Sequence, residues 1–410
     1  MKTQEGILGL DLGSGFIRCV AGELRDGRVF INGAAQVPSR GIRGGVIVNM
    51  DRATAVIKAA VIKAAVAETC RMADLKLENL IPAAGITGRQ IYSKGSSGLV
   101  TVKKGKPITQ DDVKRVLEQA KSISLPANHE IIYVHPNQYA VDSTRGIKNP
   151  VGLAGVRLEL EAYIVTADRV FLENITACLS SAGIRQPLFF FQPIAASYGV
   201  MDEEDFEEGA ILLDIGRTTT DVAVWQDEML LNVDVMEWGG DYITEAIAAE
   251  FLMSQATAAH LKEKYGVVGN YYTVDEAETI TVRDSKRGVE YGVARRRLSQ
   301  VIEQAVGDLL TRIRAELERA GLYRVTRAGT PILLVGGTSA LPGAREMAEE
   351  IFSLPVTIGT PRGVESFSEA VATADFAVAV GLVKMASQSV LKPRPRVVFK
   401  QFWENIKDMF

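Results

Sequence analysis

Two short turns carry the residues best suited to binding an anion. Each follows an apolar run and combines an aspartate with glycine and hydroxyl side chains, at residues 11–15 and 214–221. Glycine allows a tight turn whose backbone N–H groups converge on an anion. Two such turns facing each other can hold a triphosphate from both sides, and the carboxylates of Asp11 and Asp214 can hold Mg²⁺ through water. Either turn alone is more typical of an ordinary loop.

A third glycine-rich segment follows another apolar run. Residues 332–335 lead into Gly336, Gly337 and Thr338 and then into a predicted helix. Without side chains at the glycine pair, a flat ring can approach the backbone. Three segments of this kind, in this order, favour a nucleotide site over three unrelated turns.

A repeated order of elements must position these turns. The first unit is predicted as strands at 7–10, 16–24 and 28–37, followed by a glycine pair at 44–45 and a helix at 51–72. The second unit has strands at 210–213, 222–225 and 229–236, followed by Gly239-Gly240 and a helix from 241. Two matching units predict a duplicated α/β core with a cleft between its halves.

Two insertions interrupt this core. Residues 84–166 are predicted as a small α+β unit, with a helix at 110–122 capped by Thr109 and Asp112, and with strands at 130–134, 138–141 and 157–165. Residues 241–302 are predicted to be mainly helical and contain Arg295, Arg296 and Arg297.

The composition argues against several classes of protein. The formal net charge is −4 and the pI is about 5.7, so no global basic field points to nucleic acid as a partner. Three widely spaced cysteines, Cys19, Cys70 and Cys178, predict buried reduced thiols, which suits the cytosol. The N-terminus has no secretory signal pattern, and no stretch reaches the ~18 apolar residues of a spanning helix. Any membrane contact is therefore expected to be peripheral.

The C-terminal tail is predicted to be an amphipathic helix at 397–410 behind a proline-containing linker at 388–396. Lys400 lies on its polar side, and its apolar face carries Phe399, Phe402, Trp403, Ile406, Met409 and Phe410. Residues 392–410 include five basic and two acidic residues, a charge that suits binding to anionic lipid. Docking of the helix on the protein body or in a partner's groove is the alternative, but the stiff linker favours the membrane.

The three glycine-rich segments resemble those of the actin, Hsp70 and sugar-kinase superfamily of ATP-binding proteins. Three further segments make the resemblance specific to one family: 85–88 (GITG), 108–113 (ITQDDV) and 147–159 (IKNPVGLAGVRLE). With them, almost the whole chain resembles the FtsA family of bacterial cell-division proteins, and the first insertion resembles that family's subdomain 1C. The resemblance implies an α/β, actin-like duplicated core with two inserted subdomains and a C-terminal amphipathic helix.

The resemblance also implies site residues and subdomain limits. ATP would contact Asp11, Gly13, Ser14 and Gly15 in the first turn, Asp214, Gly216, Arg217, Thr218, Thr219 and Thr220 in the second, and Gly239, Gly240, Lys262, Glu263, Gly336, Gly337 and Thr338 around ribose and adenine. The implied subdomains are 1A (1–83, 167–208 and a last helix at 372–387), 1C (84–166), 2A (209–240 and 303–371) and 2B (241–302), with the linker at 388–396 and the membrane helix at 397–410.

Two departures from the family pattern bear on hydrolysis. Arg217-Thr218 replaces the usual glycine pair of the second turn, and Gln192 stands where many bacterial relatives have glutamate. Gln192 can position a water, with Asp214 near the metal, but glutamine cannot act as a general base. ATP hydrolysis is therefore expected to be slow or absent. Arg217 is expected either to pair with a phosphate or to lie in solvent.

The function that the resemblance implies is a scaffold. ATP-bound subunits would stack into filaments and dock the tubulin-like protein FtsZ, with other division proteins, at the cytoplasmic face of the plasma membrane. The arginines at 295–297 would receive the FtsZ C-terminal tail or form a solvated basic face. A small-molecule kinase of the same superfamily and an actin-like adaptor of a pilus or secretion system are the alternatives, and the C-terminal tail argues against both.

Overall fold

The computed structural model describes residues 6–66, 80–271, 275, 277–284, 288–325, 330–366 and 369–391. The strands in these ranges are β1 (Gly6–Leu12), β2 (Phe16–Arg25), β3 (Arg28–Pro38), β4 (Ile42–Arg43), β5 (Val46–Ile47), β6 (Leu80–Ile86), β7 (Ile91–Thr101), β8 (His129–Val141), β9 (Thr144–Ile147), β10 (Arg157–Asp168), β11 (Leu188–Phe191), β12 (Ala210–Ile215), β13 (Thr220–Gln226), β14 (Met229–Met236), β15 (Thr279–Asp284), β16 (Val289–Ala294), β17 (Ile332–Val335), β18 (Val356–Ile358) and β19 (Val364–Ser366). The helices are α1 (Met50–Val66), α2 (Gln110–Lys121), α3 (Arg169–Ser181), α4 (Gln192–Val200), α5 (Glu203–Glu208), α6 (Gly240–Glu250), α7 (Gln255–Tyr265), α8 (Arg295–Arg319), α9 (Leu322–Val325), α10 (Ala344–Phe352) and α11 (Ala377–Leu391).

A six-stranded sheet with the order β11-β6-β1-β2-β3-β19 forms the first half. β1, β2 and β3 form an antiparallel meander, and β6 and β11 add parallel to it. Every residue of β1 is buried, because helices cover both faces of the meander. α1 packs on one face and α11 on the other, each within its own cluster of core residues. A continuous apolar run is what such a doubly covered strand requires.

The second half repeats this sheet with the order β14-β13-β12-β17-β18. β12, β13 and β14 form the meander, and β17 and β18 add parallel to β12. Equivalent cross-strand pairs also recur, since Asp11 lies opposite Arg18 and Asp214 lies opposite Asp221. The duplicated core predicted from the sequence is confirmed.

The first insertion is a four-stranded sheet, β7-β10-β8-β9, with α2 packed on it. α2 begins with the predicted capping box, in which the side chains of Thr109 and Asp112 each accept a hydrogen bond from the other's backbone N–H. The strands expected at 130–134 and 138–141 are a single strand, β8, because Asn137 forms a bulge beside Pro136 while the backbone stays paired with β10.

The second insertion contains α6 and α7 and, in addition, a β-hairpin that the sequence analysis did not predict, in which β15 pairs with β16. α8 then crosses the expected boundary at 302–303, because the buried stripe that includes Leu298, Ile302, Val306 and Ile313 continues without a break. The expected boundary at 83–84 likewise lies inside β6, and that at 166–167 inside β10.

α4 and α11 pack together in a core that includes residues of both sheets. Their backbones meet closely at a glycine, because a Cβ on Gly381 would overlap the carbonyl oxygen of Ala195. α11 covers 377–391 rather than the expected 372–387, so the first residues of the expected linker are helical.

The two cysteines in the described residues lie in the core of the first half. Cys19 and Cys178 are free and buried, as predicted, and burial raises the pKa of both thiols. Cys70 and the predicted membrane helix at 397–410 lie outside the described residues.

Candidate functional site

The turn after β1 and the turn after β12 lie against each other. A Cβ built on Gly15 would lie 3.2 Å from the Cβ of Arg217. The first turn is tight, because a Cβ on Gly13 would lie 2.5 Å from the carbonyl oxygen of Phe16, and Ser14 between the two glycines is half-buried. The structure therefore brings together the two turns that the sequence singled out.

Asp11 is a buried carboxylate at the end of β1. Gln192, the first residue of α4, donates its Nε2 to Asp11 Oδ1 (3.0 Å) and to the carbonyl oxygen of Gly85 (3.2 Å). Arg18, opposite on β2, places Nη1 3.6 Å from Asp11 Oδ2. Burial raises the pKa of Asp11 to about 6, although the Arg18 guanidinium acts to lower it.

Arg18 joins the first turn to the third glycine-rich segment. Its Nη2 donates to Asp375 Oδ1 (2.6 Å) and its Nε to Gln36 Oε1 (2.9 Å). Asp375 lies in the 3₁₀ turn Ala374–Phe376, and a Cβ on Gly337 would lie 3.5 Å from Asp375 Oδ1. One cation thus contacts the carboxylate of the first turn and a carboxylate beside the third glycine-rich segment.

Asp214 occupies the equivalent place at the end of β12. Burial, and next the nearby charge of Asp11, raise its pKa to about 7. Gly336 approaches this carboxylate so closely that a Cβ would overlap Asp214 Oδ1, and its φ of +83° also favours glycine. The third glycine-rich segment therefore lies in close contact with the start of the second turn.

Asp221, opposite Asp214 on β13, is buried. Its Oδ1 accepts a hydrogen bond from Thr87 Oγ1 (2.7 Å), a residue that follows β6 in the first half. Burial and then the charge of Asp214 raise the pKa of Asp221 well above its usual range. This hydrogen bond joins the two halves beside the second turn.

The glycine pair after β14 supports the second turn. The carbonyl oxygen of Gly216 accepts from Gly240 N–H (2.9 Å), and a Cβ on Gly239 would lie 2.6 Å from that same oxygen. The hydroxyl residues of the turn make their own contacts: Gly216 N–H donates to the Thr219 carbonyl (2.9 Å), Gly44 N–H to Thr218 Oγ1 (3.2 Å), and Thr220 Oγ1 to the Trp238 carbonyl (2.7 Å).

Lys262 lies beside this glycine pair. Its Nζ donates to the Gly240 carbonyl (2.8 Å), and burial lowers the pKa of the ammonium. Thr338 Oγ1 lies 3.5 Å from the Gly216 carbonyl, so the third segment also reaches this place. Glu263, the next residue on α7, is exposed.

Arg217 is exposed and pairs with an acidic residue of the same chain. Its Nε donates to Asp241 Oδ1 (2.9 Å) at the start of α6, with about half of the side chain exposed. The ion pair forms because the Asp241 N–H also binds the Arg217 carbonyl (2.7 Å), which brings the two residues together.

Arg295 and Arg297, at the start of α8, are engaged within the chain. Arg295 donates to the Tyr265 carbonyl and lies over the Tyr265 ring. Arg297 donates its Nε to Glu250 Oε1 (2.6 Å) and remains half-exposed.

The sequence reasoning did not assign Arg18, Thr87, Asp221 or Asp375 to the site. A signal existed for two of them, since Arg18 and Asp221 each lie seven residues after the aspartate that begins their turn. In an antiparallel hairpin that spacing places the two residues opposite each other. Thr87 and Asp375 reach the site only through the tertiary fold.

The comparisons with known proteins agree with this geometry. Residues 211–381 match the family model described as "Cell division protein FtsA", and residues 88–166 match the "SHS2 domain inserted in FTSA". The protein named "Cell division protein FtsA" from Neisseria meningitidis serogroup B is 32% identical over 387 residues, which cover 94% of this chain and 91% of that protein. The chain belongs to the FtsA family.

Solved structures place the fold of this FtsA-family chain among actin-like proteins. A chain of the PilM-PilN type IV pilus biogenesis complex has a TM-score of 0.64 and 17% identity, over 93% of this chain and 98% of that one. MreB 5 of Spiroplasma citri bound to AMPPNP has a TM-score of 0.53 and 15% identity, over the whole of both chains. The predicted actin-like core is confirmed, and the first insertion is the family's SHS2 domain. Within the described residues, no helix is long and apolar enough to cross a membrane.

Proposed function

We propose that this FtsA-family chain binds ATP with Mg²⁺ between its two halves, assembles into filaments, and tethers FtsZ and other division proteins to the cytoplasmic face of the plasma membrane. The observation that carries the nucleotide part is the meeting of two phosphate-type turns, each ending a buried strand in Asp11 or Asp214. The MreB 5 structure bound to AMPPNP shares this fold.

The residues present suit a magnesium nucleotide. Asp11 is buried and Asp214 is half-buried. The charge of Asp11 lies close enough to raise the pKa of Asp214, so a divalent cation near both would relieve their repulsion. No group of three or more His, Cys, Asp or Glu side chains in the described ranges is arranged to hold a metal. Phosphate oxygens and waters would therefore supply the remaining Mg²⁺ ligands, as this ion prefers.

The proposed nucleotide lies along three segments. Backbone N–H groups at residues 13–15 and 217–219 would bind phosphates. The glycine pairs at 239–240 and 336–337, with Lys262 and Thr338, would admit the ribose and the adenine. Mg²⁺ would offset phosphate charge, while Gln192 would position a water without removing its proton. Fast phosphate release by the purified protein would contradict this assignment of Gln192.

A binding experiment tests the nucleotide part directly. A fluorescent ATP analogue is titrated into the purified protein with Mg²⁺, alongside Asp214→Asn and the matched control Asp26→Asn. Asp26 is exposed in the turn between β2 and β3, at the end of β2 opposite to the first phosphate turn. We expect Asp214→Asn alone to weaken binding about tenfold or more, because a charge-assisted contact is worth about 1.5–3 kcal/mol. Equal affinities for both variants would exclude this cleft.

Membrane attachment is proposed for the tail beyond α11. Its apolar face and basic excess suit an anionic lipid surface, and filament formation would multiply the weak binding of a single helix. The test pellets the full-length protein with anionic vesicles, with and without ATP, beside a chain that ends at Leu391 so that α11 stays whole. Phe402→Glu should abolish pelleting, whereas Glu404→Gln on the polar side should retain it. Equal pelleting of all variants would overturn the tether.

Docking of the FtsZ tail is proposed near the start of α8. Arg297 is half-exposed but paired with Glu250, so reversing its charge alone would also break an intramolecular pair. Exchanging the two residues, Arg297→Glu with Glu250→Arg, keeps the pair. If Arg297 receives an acidic FtsZ peptide, both Arg297→Glu and the exchange lower its affinity. Full affinity in the exchange variant would show that Arg297 has a structural role.

A further inference from the structure

The SHS2 insertion contacts β14, the edge strand of the second half. Side chains of the insertion, rather than the backbone of a further strand, bind the outer edge of β14. At its start, His135 Nε2 lies 3.1 Å from the Glu228 carbonyl, and Lys148 pairs with the Glu228 carboxylate. Beyond its other end, Arg89 lies 3.6 Å from Glu237.

The central contacts bind the backbone of β14. Asn137 acts as a surrogate peptide group, because its Nδ2 donates to the Leu230 carbonyl (3.1 Å) and its Oδ1 accepts from Leu230 N–H (3.0 Å). The bulge in β8 frees Asn137 for this contact.

A tyrosine–serine pair binds the next outward-facing backbone groups. Tyr163 Oη accepts from Val233 N–H (3.4 Å) and donates to Asn232 Oδ1 (2.9 Å). Ser93 Oγ donates to the Val233 carbonyl (2.8 Å) and lies 3.1 Å from Tyr163 Oη. An edge strand normally leaves such groups to solvent or to another strand, so this docking is specific.

The contacts join the two halves of the protein. The insertion leaves the first half after β6 and returns through β10 into α3, while β14 belongs to the second half. β14 continues into Gly239 and Gly240, whose backbone binds the second phosphate turn. Directly before the insertion, Thr87 donates to Asp221 beside the same turn (2.7 Å). Two separate links therefore end at residues 214–221, one from the insertion through β14 and one from the residue that precedes the insertion.

We propose that the SHS2 insertion positions the second phosphate turn, with Thr87 and the Tyr163–Ser93–Asn137 group as positioning residues. A partner that shifts the insertion would then change nucleotide affinity, and the nucleotide would change partner affinity by the same factor. This coupling to nucleotide rests on the proposed function. The positioning itself can be measured without any nucleotide.

The first test is amide hydrogen exchange of the full-length, nucleotide-free protein. Tyr163→Phe removes the hydroxyl that binds β14, and Thr87→Val removes the donor to Asp221 at nearly constant volume. Exchange of residues 228–236 in the first variant, and of 214–221 in both, should rise about tenfold, the equivalent of about 1.4 kcal/mol. Tyr139→Phe, in the insertion's own core, and Thr87→Ser, which keeps the hydroxyl, should change neither segment more than about twofold.

The second test measures ATP affinity of the same variants. We expect Tyr163→Phe and Thr87→Val to bind about tenfold more weakly than the native chain, with both controls unchanged. If exchange rises at 228–236 while 214–221 stays protected in both variants, the insertion merely rests on the sheet and the proposal is overturned. Failure of the native chain to bind ATP would overturn the proposed function instead, and the nucleotide-free exchange would still decide the positioning.

Discussion

Replacing Gln192 with glutamate reverses the hydrogen bonding around the first phosphate turn. The amide nitrogen of Gln192 lies between two acceptors, Asp11 Oδ1 at 3.0 Å and the Gly85 carbonyl at 3.2 Å. An ionised glutamate has no N–H to donate, so its oxygen would face Asp11 and the Gly85 carbonyl as a third acceptor. At this separation two unit charges repel by about 5 kcal/mol at an effective dielectric constant near 20, so the two carboxyl groups together should keep one proton in the folded state.

The effect on stability should therefore depend on pH. In Gln192→Glu the folded-state pKa of the pair formed by Asp11 and the introduced carboxyl group lies above the unfolded value of about 4.3. A carboxyl group with a raised folded pKa destabilises the fold progressively as pH rises from the unfolded to the folded value. We expect a loss of about 1 kcal/mol at pH 5, where the protonated carboxyl still donates, and of about 3–5 kcal/mol at pH 8.

Urea unfolding at pH 5 and pH 8 measures this difference, with Gln192→Met as the matched control. Methionine removes the donor without adding charge, so its destabilisation relative to the native chain should change little with pH. If the Gln192→Glu loss were equal at the two pH values, or absent at pH 8, the contact between Gln192 and Asp11 would not exist in solution.

Three further predictions concern the same cleft. The nucleotide-free native chain should lose a few kcal/mol of stability between pH 5 and pH 8 in urea unfolding, because the facing aspartates have folded-state pKa values raised to about 6 and about 7; stability that rises over this range would contradict those values. Arg18→Met should cost about 3–5 kcal/mol by leaving the buried Asp11 and the half-buried Asp375 without their cation. Adding Asp375→Asn should recover part of this loss, so strictly additive losses would exclude the ion pair. Gly336→Ala should abolish ATP binding and cost at least about 2 kcal/mol, whereas Gly105→Ala, with a similar φ of +79° and open space around it, should cost about 1 kcal/mol and leave binding intact.

Local sequence signals were sufficient for the duplicated core and its turns. The apolar runs that become β1 and β12 end in an aspartate followed by glycine, and both tight turns form where the sequence predicts them. Strand, turn and strand in each unit lie within about twenty residues, so the pattern needs no knowledge of distant contacts.

The remaining site residues depend on contacts that a single sequence does not reveal. Arg18 and Asp375 are 357 positions apart, and Thr87 and Asp221 are 134 apart. The hairpin of β15 and β16 is a different case, because its β-branched residues alternate with polar ones and could have been read as strands. The sequence analysis nevertheless predicted no hairpin there, because the surrounding residues have a helical pattern.

The duplication explains why the two sides of the cleft differ in charge. Arg18 and Asp221 occupy equivalent positions in the two hairpins, so a cation faces the aspartate of the first turn and an acid faces that of the second. Arg18 acts to lower the pKa of Asp11, whereas burial and then the charge of Asp11 hold the pKa of Asp214 higher, at about 7. The carboxyl groups of the second half therefore keep their protons to a higher pH than Asp11 does. The Thr87 donor to Asp221 links this same side of the cleft to the end of β6, directly before the SHS2 insertion.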